Sequence, residues 1–371
     1  MVAKQPTPGG GCRPATTKKS PVKAPTERNS LYVMTDCSGI EAPLQALSGL
    51  GVDIVHVAAS ENPKSLQKFL GNNIKPVYFF KDMLERDDSA IDSPIDVYIA
   101  GPPCQTFSRA GRRGGDGALF NRCIDTIVSK RPRVFLLENV DGLVARHGSL
   151  LESFITRFKD DGGYNVYTNM LDSAKVGGVP QHRQRIYLIG ILKTVDDGTF
   201  EWPHEFKQCG MKTILDPKET PFKMVAPKAT QTTACNNLIE AIEAIKKLSW
   251  DPTKKACVID IDSTKMNWRH DESLCLTASR GRTGGYYVSN RGRRLRLNEC
   301  LRLQAHNPKL IKIGKVSVNQ MMAAAGNAMT VSVIERLMLR ALPAAQLADS
   351  RMLQKRWEDL ASATATLASM R

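Results

Sequence analysis

The chain has 371 residues, 42% of them hydrophobic and 24% charged, enough to bury a sizeable core and to hold more than one domain. Its formal charge of +15 asks for a polyanionic partner, and no apolar run reaches the ~18 residues of a membrane span. Nine cysteines, an odd number without a Cys-x-x-Cys pair, argue against a disulfide framework or a zinc site and for free thiols in a reducing compartment.

Residues 1–29 are rich in Pro, Gly, Thr and Lys and read as a disordered basic tail, with Lys4, Arg13, Lys18, Lys19, Lys23 and Arg28 against Glu27 alone. The Lys18–Lys23 stretch suits nuclear import or nucleic-acid contact. A nuclear location is therefore expected for a eukaryotic or viral source, and a cytoplasmic one otherwise. Order begins with a strand at Leu31–Met34 and a helix over 42–50. A second strand, 52–61, ends on Glu61, and a helix over 63–70 leads to a third short strand ending on Asp82. Strands at 95–100 and 134–139 flank a helix over 119–130. This alternation predicts an α/β fold, a doubly wound and mostly parallel Rossmann-like sheet with its cleft at the C-terminal strand ends.

Those ends carry the chemistry. A small-residue turn, Ser38-Gly39-Ile40, follows the first strand, and the acids Glu61 and Asp82 close the next two. Carboxylates so placed accept hydrogen bonds from ribose hydroxyls or an adenine amino group. Each acid taken alone is as readily a solvated strand end; their recurrence is what points to a ligand. Neither GxGxxG nor GxxxxGK[ST] occurs, which sets aside dinucleotide and triphosphate cradles. After the fourth strand comes Gly101-Pro102-Pro103-Cys104-Gln105, where two prolines restrict the backbone that presents a thiol. A lone cysteine is usually a packing residue, so a nucleophile here needs partners.

Downstream, a helix is expected over 149–159 and a strand over 181–190, which would set Arg183 and Arg185 on one face with Gln181 beside them. Paired guanidiniums there seek phosphate, carboxylate or base-carbonyl oxygens. Residues 196–292 lose the periodicity, apart from a helix at 236–248 and a strand at 256–259. From Lys265 to Arg302 nine Lys and Arg face only Asp271, Glu272 and Glu299, the best candidate for a polyanion footprint. Helices are expected at 297–305, 319–325, 330–341 and 343–361, before a frayed end.

The blocks SGIEA (38–42), ASE (59–61), KDM (81–83), GPPCQTFSRAG (101–111), LLENV (136–140), QHRQR (181–185), RRLRLNECLRLQ (293–304) and GNAM (326–329) stand in one order. With them the chain resembles the cytosine-5 DNA methyltransferases, which use S-adenosylmethionine, over about residues 31 to 340. The resemblance implies a nucleophile in Cys104, a proton donor to the ring nitrogen in Glu138, an orienting Asn139, a base-carbonyl contact in Arg185 and a companion arginine in Arg183. It implies cofactor contacts from Ser38, Gly39, Ile40, Glu61, Asp82, Met83, Leu119 and Asn327. DNA contacts are expected from Gln105, Ser108, Arg109, Thr277, Gly284, Gly285 and Tyr286, with Glu299 a structural ion-pair partner rather than a catalyst. The pattern's aromatic in the first turn is Cys37 here, its second glycine is Glu41, and the aromatic after the ribose acid is Asn62.

The implied organisation is a tail (1–29), a catalytic and cofactor-binding domain (30–195), a target-recognition domain (196–292), a return to the catalytic domain (293–345) and a C-terminal helical tail (346–371). The implied partner is double-stranded DNA, with no metal, no membrane and no obligate protein partner, and the chain is expected to be a monomer. Two alternatives stand beside this reading: a transfer-RNA cytosine-5 methyltransferase, and a DNA-binding relative with impaired turnover.

Overall fold

A computed structural model describes residues 30–103 and 117–371. The basic tail, Cys104, Gln105, Ser108 and Arg109 lie outside the described residues. In chain order the first part runs β1 (Ser30–Asp36), α1 (Ala42–Gly49), β2 (Asp53–Ser60), α2 (Lys64–Asn73), β3 (Tyr78–Phe80) and β4 (Val97–Ala100). It continues through α3 (Ala118–Lys130), β5 (Val134–Val140), α4 (Gly142–Asp160), β6 (Tyr164–Asp172), α5 (Ser173–Gly177) and β7 (Gln184–Leu192).

These seven strands form one sheet in the order β3-β2-β1-β4-β5-β7-β6. All neighbours are parallel except β7, which runs antiparallel to both β5 and β6. The chain goes outward from β1 to β3 and then returns to place β4 on β1's other side, which opens a crevice at the C-terminal ends of those two strands. The expected doubly wound sheet is present.

Both faces of the sheet are buried, as parallel strands require. Val33, Ile99, Leu136 and Ile189 point to one core, shared with Leu47 of α1 and with Leu337, which belongs to a helix near the C-terminus. Met34, Tyr98, Phe135 and Leu188 point to the other, with Phe120 of α3 stacked at 4.4 Å on Phe154 of α4. Gly190 faces Phe135 across the β5–β7 pair so closely that a Cβ there would lie 1.9 Å from the ring, and only glycine fits.

A second sheet follows, with α6 (Thr232–Lys247) packed against it. Its strands are β8 (Cys257–Asp260), β9 (Asn267–His270), β10 (Tyr287–Val288) and β11 (Arg293–Arg294), in the order β11-β10-β8-β9. Leu238, Ala241, Ile245, Cys257, Ile259 and Tyr287 form its own small core. Between β9 and β10 lies α7 (Ala278–Arg282), and beyond β11 come α8 (Leu297–Leu303), α9 (Val318–Asn327), α10 (Val331–Ala344) and α11 (Leu360–Ser369).

Three expectations are corrected. β7 begins at Gln184, so Gln181 and Arg183 precede it and do not share a strand face with Arg185. No helix covers 345–359. The C-terminus, expected to fray, instead forms α11, closed by a capping box between Asp359 and Ser362 and docked through the buried Ala363 and Leu367. Its small residues hide the amphipathic pattern that larger side chains would show.

Candidate active site

The ends of β1, β2 and β3 converge. Glu61 Oε2 accepts a hydrogen bond from Gly39 N at 2.6 Å, which ties the turn after β1 to the acid after β2. Burial raises the Glu61 pKa above the usual carboxylate value, against the opposing effect of the Gly39 hydrogen bond. Cys37 Sγ lies 3.7 Å from Met83 Sδ, and Asn62 Nδ2 donates to Asp82 Oδ2 at 2.9 Å. Two of the three departures from the family pattern therefore link strand ends, Cys37 from β1 to the segment after β3 and Asn62 from β2 to that same segment. Leu119 borders the same apolar cluster as Cys37. Ile40, expected as a cofactor contact, is 2% exposed and sits in the core, so it shapes the turn and does not offer a side chain.

Beneath these ends lies a buried network that sequence reasoning did not find. Asp36, the last residue of β1, receives Arg86 Nη1 at 2.5 Å, Arg86 Nη2 at 3.0 Å, Tyr98 Oη at 2.7 Å and Ser60 Oγ at 2.6 Å. Burial works against the charged Arg86 guanidinium, yet Asp36 beside it carries its pKa upward overall. Arg122 reaches over from α3 to the carbonyls of Met83 and Arg86. An acid directly before the small-residue turn was the available signal; its arginine lies fifty positions away.

Two histidines shielded from water, His56 on β2 and His306 after α8, set an acid limit to stability. Burial lowers the pKa of His56 to about 4 and of His306 to about 3. Below the ordinary value of 6.5 the unfolded chain takes up protons that the folded chain refuses. The histidines' own contribution is thus complete above that value and is lost as pH falls toward about 4 for His56 and about 3 for His306, while Glu41, raised to about 8, opposes part of that loss. Urea unfolding at stepped pH measures this, and His306→Leu should flatten the decline.

At the ends of β4 and β5, Gly101 and Pro102 meet Glu138 and Asn139. Asn139 Nδ2 donates to Pro102 O at 3.3 Å, while its Oδ1 accepts from Val140 N at 2.9 Å, so one amide fixes the loop to β5. Glu138 is 8% exposed and its Oε1 lies 3.2 Å from Arg185 Nε, which projects from the antiparallel β7. Gly101 sits against both Glu138 and Met329, a methionine the sequence reading left out of the site. Asn327, two residues before it, is exposed at the end of α9.

Arg183 has a different role from the one expected. It is 3% exposed, and Nη1 donates to the carbonyls of Leu276 and Gly326, both at 3.1 Å, while Nη2 donates to that of Ala328 at 3.0 Å. It joins the segment before α7 to the end of α9 through three main-chain carbonyls, while its Nε has no hydrogen-bond partner among the described residues. Gln181 acts alongside it, accepting from Leu276 N at 2.6 Å and donating to Leu303 O at 3.1 Å.

The recognition residues divide. Thr277 is exposed and caps α7, and Gly284 is partly exposed with φ 97°. Tyr286 is 4% exposed and donates to Cys275 O at 2.7 Å, and Gly285 is packed beneath Met322 and Leu295. Those two are core residues, contrary to the expectation of DNA contact. The basic run is also largely spent internally. Arg280 pairs with Asp260, Arg294 with Asp262, Arg293 with Glu299, Arg296 with Glu219, and Arg302 with Asp216. Glu299, 0% exposed, is the structural ion-pair partner expected of it.

The model of the C-5 cytosine-specific DNA methylase family matches residues 34–341. The chain is 31% identical over 251 residues to the orphan methyltransferase M.SPRI of Bacillus phage SPR, a match covering 64% of this chain and 56% of that relative. The chain thus spans little more than half the length of that relative. To the type II methyltransferase M.HaeII of Haemophilus aegyptius it is 31% identical over 264 residues, covering 68% of this chain and 75% of the relative. The crystal structure of a Spodoptera frugiperda DNMT2 variant superposes with a TM-score of 0.59 at 17% identity, over 84% of this chain and 100% of that one, a likeness of fold.

Proposed function

The chain belongs to the C-5 cytosine-specific DNA methylase family, and we propose that it transfers a methyl group from S-adenosylmethionine to carbon 5 of a flipped-out cytosine in double-stranded DNA. The observation that carries this reading is the ion pair of Glu138 with Arg185 beside Gly101, next to a turn closed by Glu61.

The donor set fits a methyl donor bearing a nucleoside. Glu61 and Asp82 present carboxylates at successive strand ends, and the sulfurs of Cys37 and Met83 lie 3.7 Å apart at the ends of β1 and β3. When bound, S-adenosylmethionine supplies an electrophilic methyl on a sulfonium. The Cys104 thiolate adds to carbon 6 of the cytosine, forming a carbon–sulfur bond and pushing the ring's electrons toward carbon 5 and the ring nitrogen. Glu138 gives a proton or hydrogen bond to that nitrogen, and Arg185 holds the base carbonyl where negative charge gathers. After methylation, loss of the carbon 5 proton to water expels the thiolate and restores the ring. A duplex hides carbon 6 in its stack, so the base must leave the helix to meet Cys104.

Glu138→Gln keeps a hydrogen-bonding group but loses the transferable proton. Methyl transfer is expected to slow by about two to four orders of magnitude, read as kcat at saturating donor. Tritiated methyl transfer to duplex DNA and, separately, to transfer RNA tests the function itself. Incorporation into transfer RNA alone would overturn the DNA assignment. Binding of duplex without incorporation would show a relative with impaired turnover. The basic tail fits a nuclear setting for a eukaryotic or viral source, and a cytoplasmic one otherwise, where DNA is the partner.

A further inference from the structure

Glu41 stands where the family pattern has its second glycine, and its backbone lies in the left-handed region that glycine favours. Its φ of 58° and ψ of 50° are left-handed, a conformation that strains a residue bearing a side chain. It precedes α1 without making a side-chain cap. The side chain turns inward and the residue is 4% exposed. Oε1 accepts from Thr35 Oγ1 at 3.0 Å, and Oε2 has no hydrogen-bond partner among the described residues. Thr35 Oγ1 also lies 3.1 Å from Ser38 Oγ and 2.9 Å from His56 Nε2. Glu41 N donates to Ser38 O at 2.8 Å and Ser38 N to Ser60 O at 3.2 Å, which closes the turn over this cluster. Strain of this kind persists where surrounding contacts over-determine it.

We propose that Glu41 is a positioning residue for the methyl donor, its carboxyl bracing the Cys37–Ile40 turn from beneath through Thr35 and Ser38. Glu61 holds the same turn at Gly39 from the ribose side. The inference rests on the cofactor site proposed above. Facing Glu41 are Asp36 and Thr35 of β1, His56 of β2, Ser38 of the turn and Glu61; Asp36 is engaged by Arg86. At the other end of α1, Gly49 meets the Glu335–Arg356 pair of the C-terminal region. Burial, with Glu61 and Asp36 adding to it, raises Glu41 to about 8 against the hydrogen bonds of Thr35 and Ser38. The carboxyl is therefore held largely protonated at neutral pH, and its ionisation puts a further negative charge under the turn.

Calorimetric binding of S-adenosylmethionine to the full chain at about pH 7 and about pH 9 tests this for the native protein, Glu41→Gln and Glu41→Gly. The native chain should lose about tenfold in affinity between the two. Glu41→Gln should bind as a neutral stand-in, with no alkaline loss. Glu41→Gly relieves the backbone but removes the brace, so affinity should fall about five- to tenfold at both pH values, with KM for the donor rising far more than kcat changes. A glycine variant that binds as tightly as the native chain overturns the proposal, as does an alkaline loss retained in Glu41→Gln. Native binding with unaffected variants would sink this proposal alone; no native binding at millimolar donor would sink the cofactor site with it.

Discussion

Cys104→Ser is expected to cut methyl transfer by about four orders of magnitude or more, because a serine hydroxyl is not ionised at neutral pH and adds poorly to a ring carbon. Duplex affinity should stay within about threefold, since phosphate contacts supply most of it. Asn139 grips the carbonyl of Pro102, and Gly101 lies against Glu138 and Met329, so the chain enters the loop with its position fixed by β5 and the end of α9. Radiolabel incorporation measured beside a gel-shift titration separates the two effects. Incorporation by Cys104→Ser within tenfold of the native chain would remove the covalent mechanism.

Arg183→Met should be the most damaging substitution to the fold. Methionine fills much of the volume but leaves the carbonyls of Leu276, Gly326 and Ala328 without their donor, inside the protein. Buried acceptors so abandoned cost about 1–3 kcal/mol each, on the order of 3–9 kcal/mol together. A domain commonly has about 5–15 kcal/mol of stability in all. The loss should appear as a drop in urea midpoint or as failure to accumulate. Arg183→Lys, with one compact donor group in place of a planar fork, should recover only part of it. Full stability in the methionine variant would show that the carbonyls find other donors.

The central sheet was readable because its strands are short apolar runs that end on acids, and Glu61, Asp82 and Glu138 fall where those runs end. Arg183 was misread for a definite reason. The period-two rule holds inside a strand, and β7 starts one residue too late for it to apply. The basic run from 265 to 302 misled in another way, because Asp216, Glu219, Asp260 and Asp262 all lie outside that window. Counting charge along a segment cannot see partners delivered by the fold. Tyr286 shows the same limit: glycines and arginines around an aromatic suggest a surface loop, and only tertiary packing turns it toward the carbonyl of Cys275. Asp36 and Arg86 need a folded chain to meet at all.

The packing of α10 against α1 sets a schedule for biosynthesis. α1 begins at Ala42 and its cover begins at Val331, so roughly 290 residues must leave the ribosome before that apolar face is closed. At about 5–20 residues per second this is on the order of 15–60 s during which the nascent sheet stands open on one side. Chaperone demand in the cell should therefore be concentrated in the synthesis of the second sheet, and a ribosome stalled there would release a chain unable to bury its first helix.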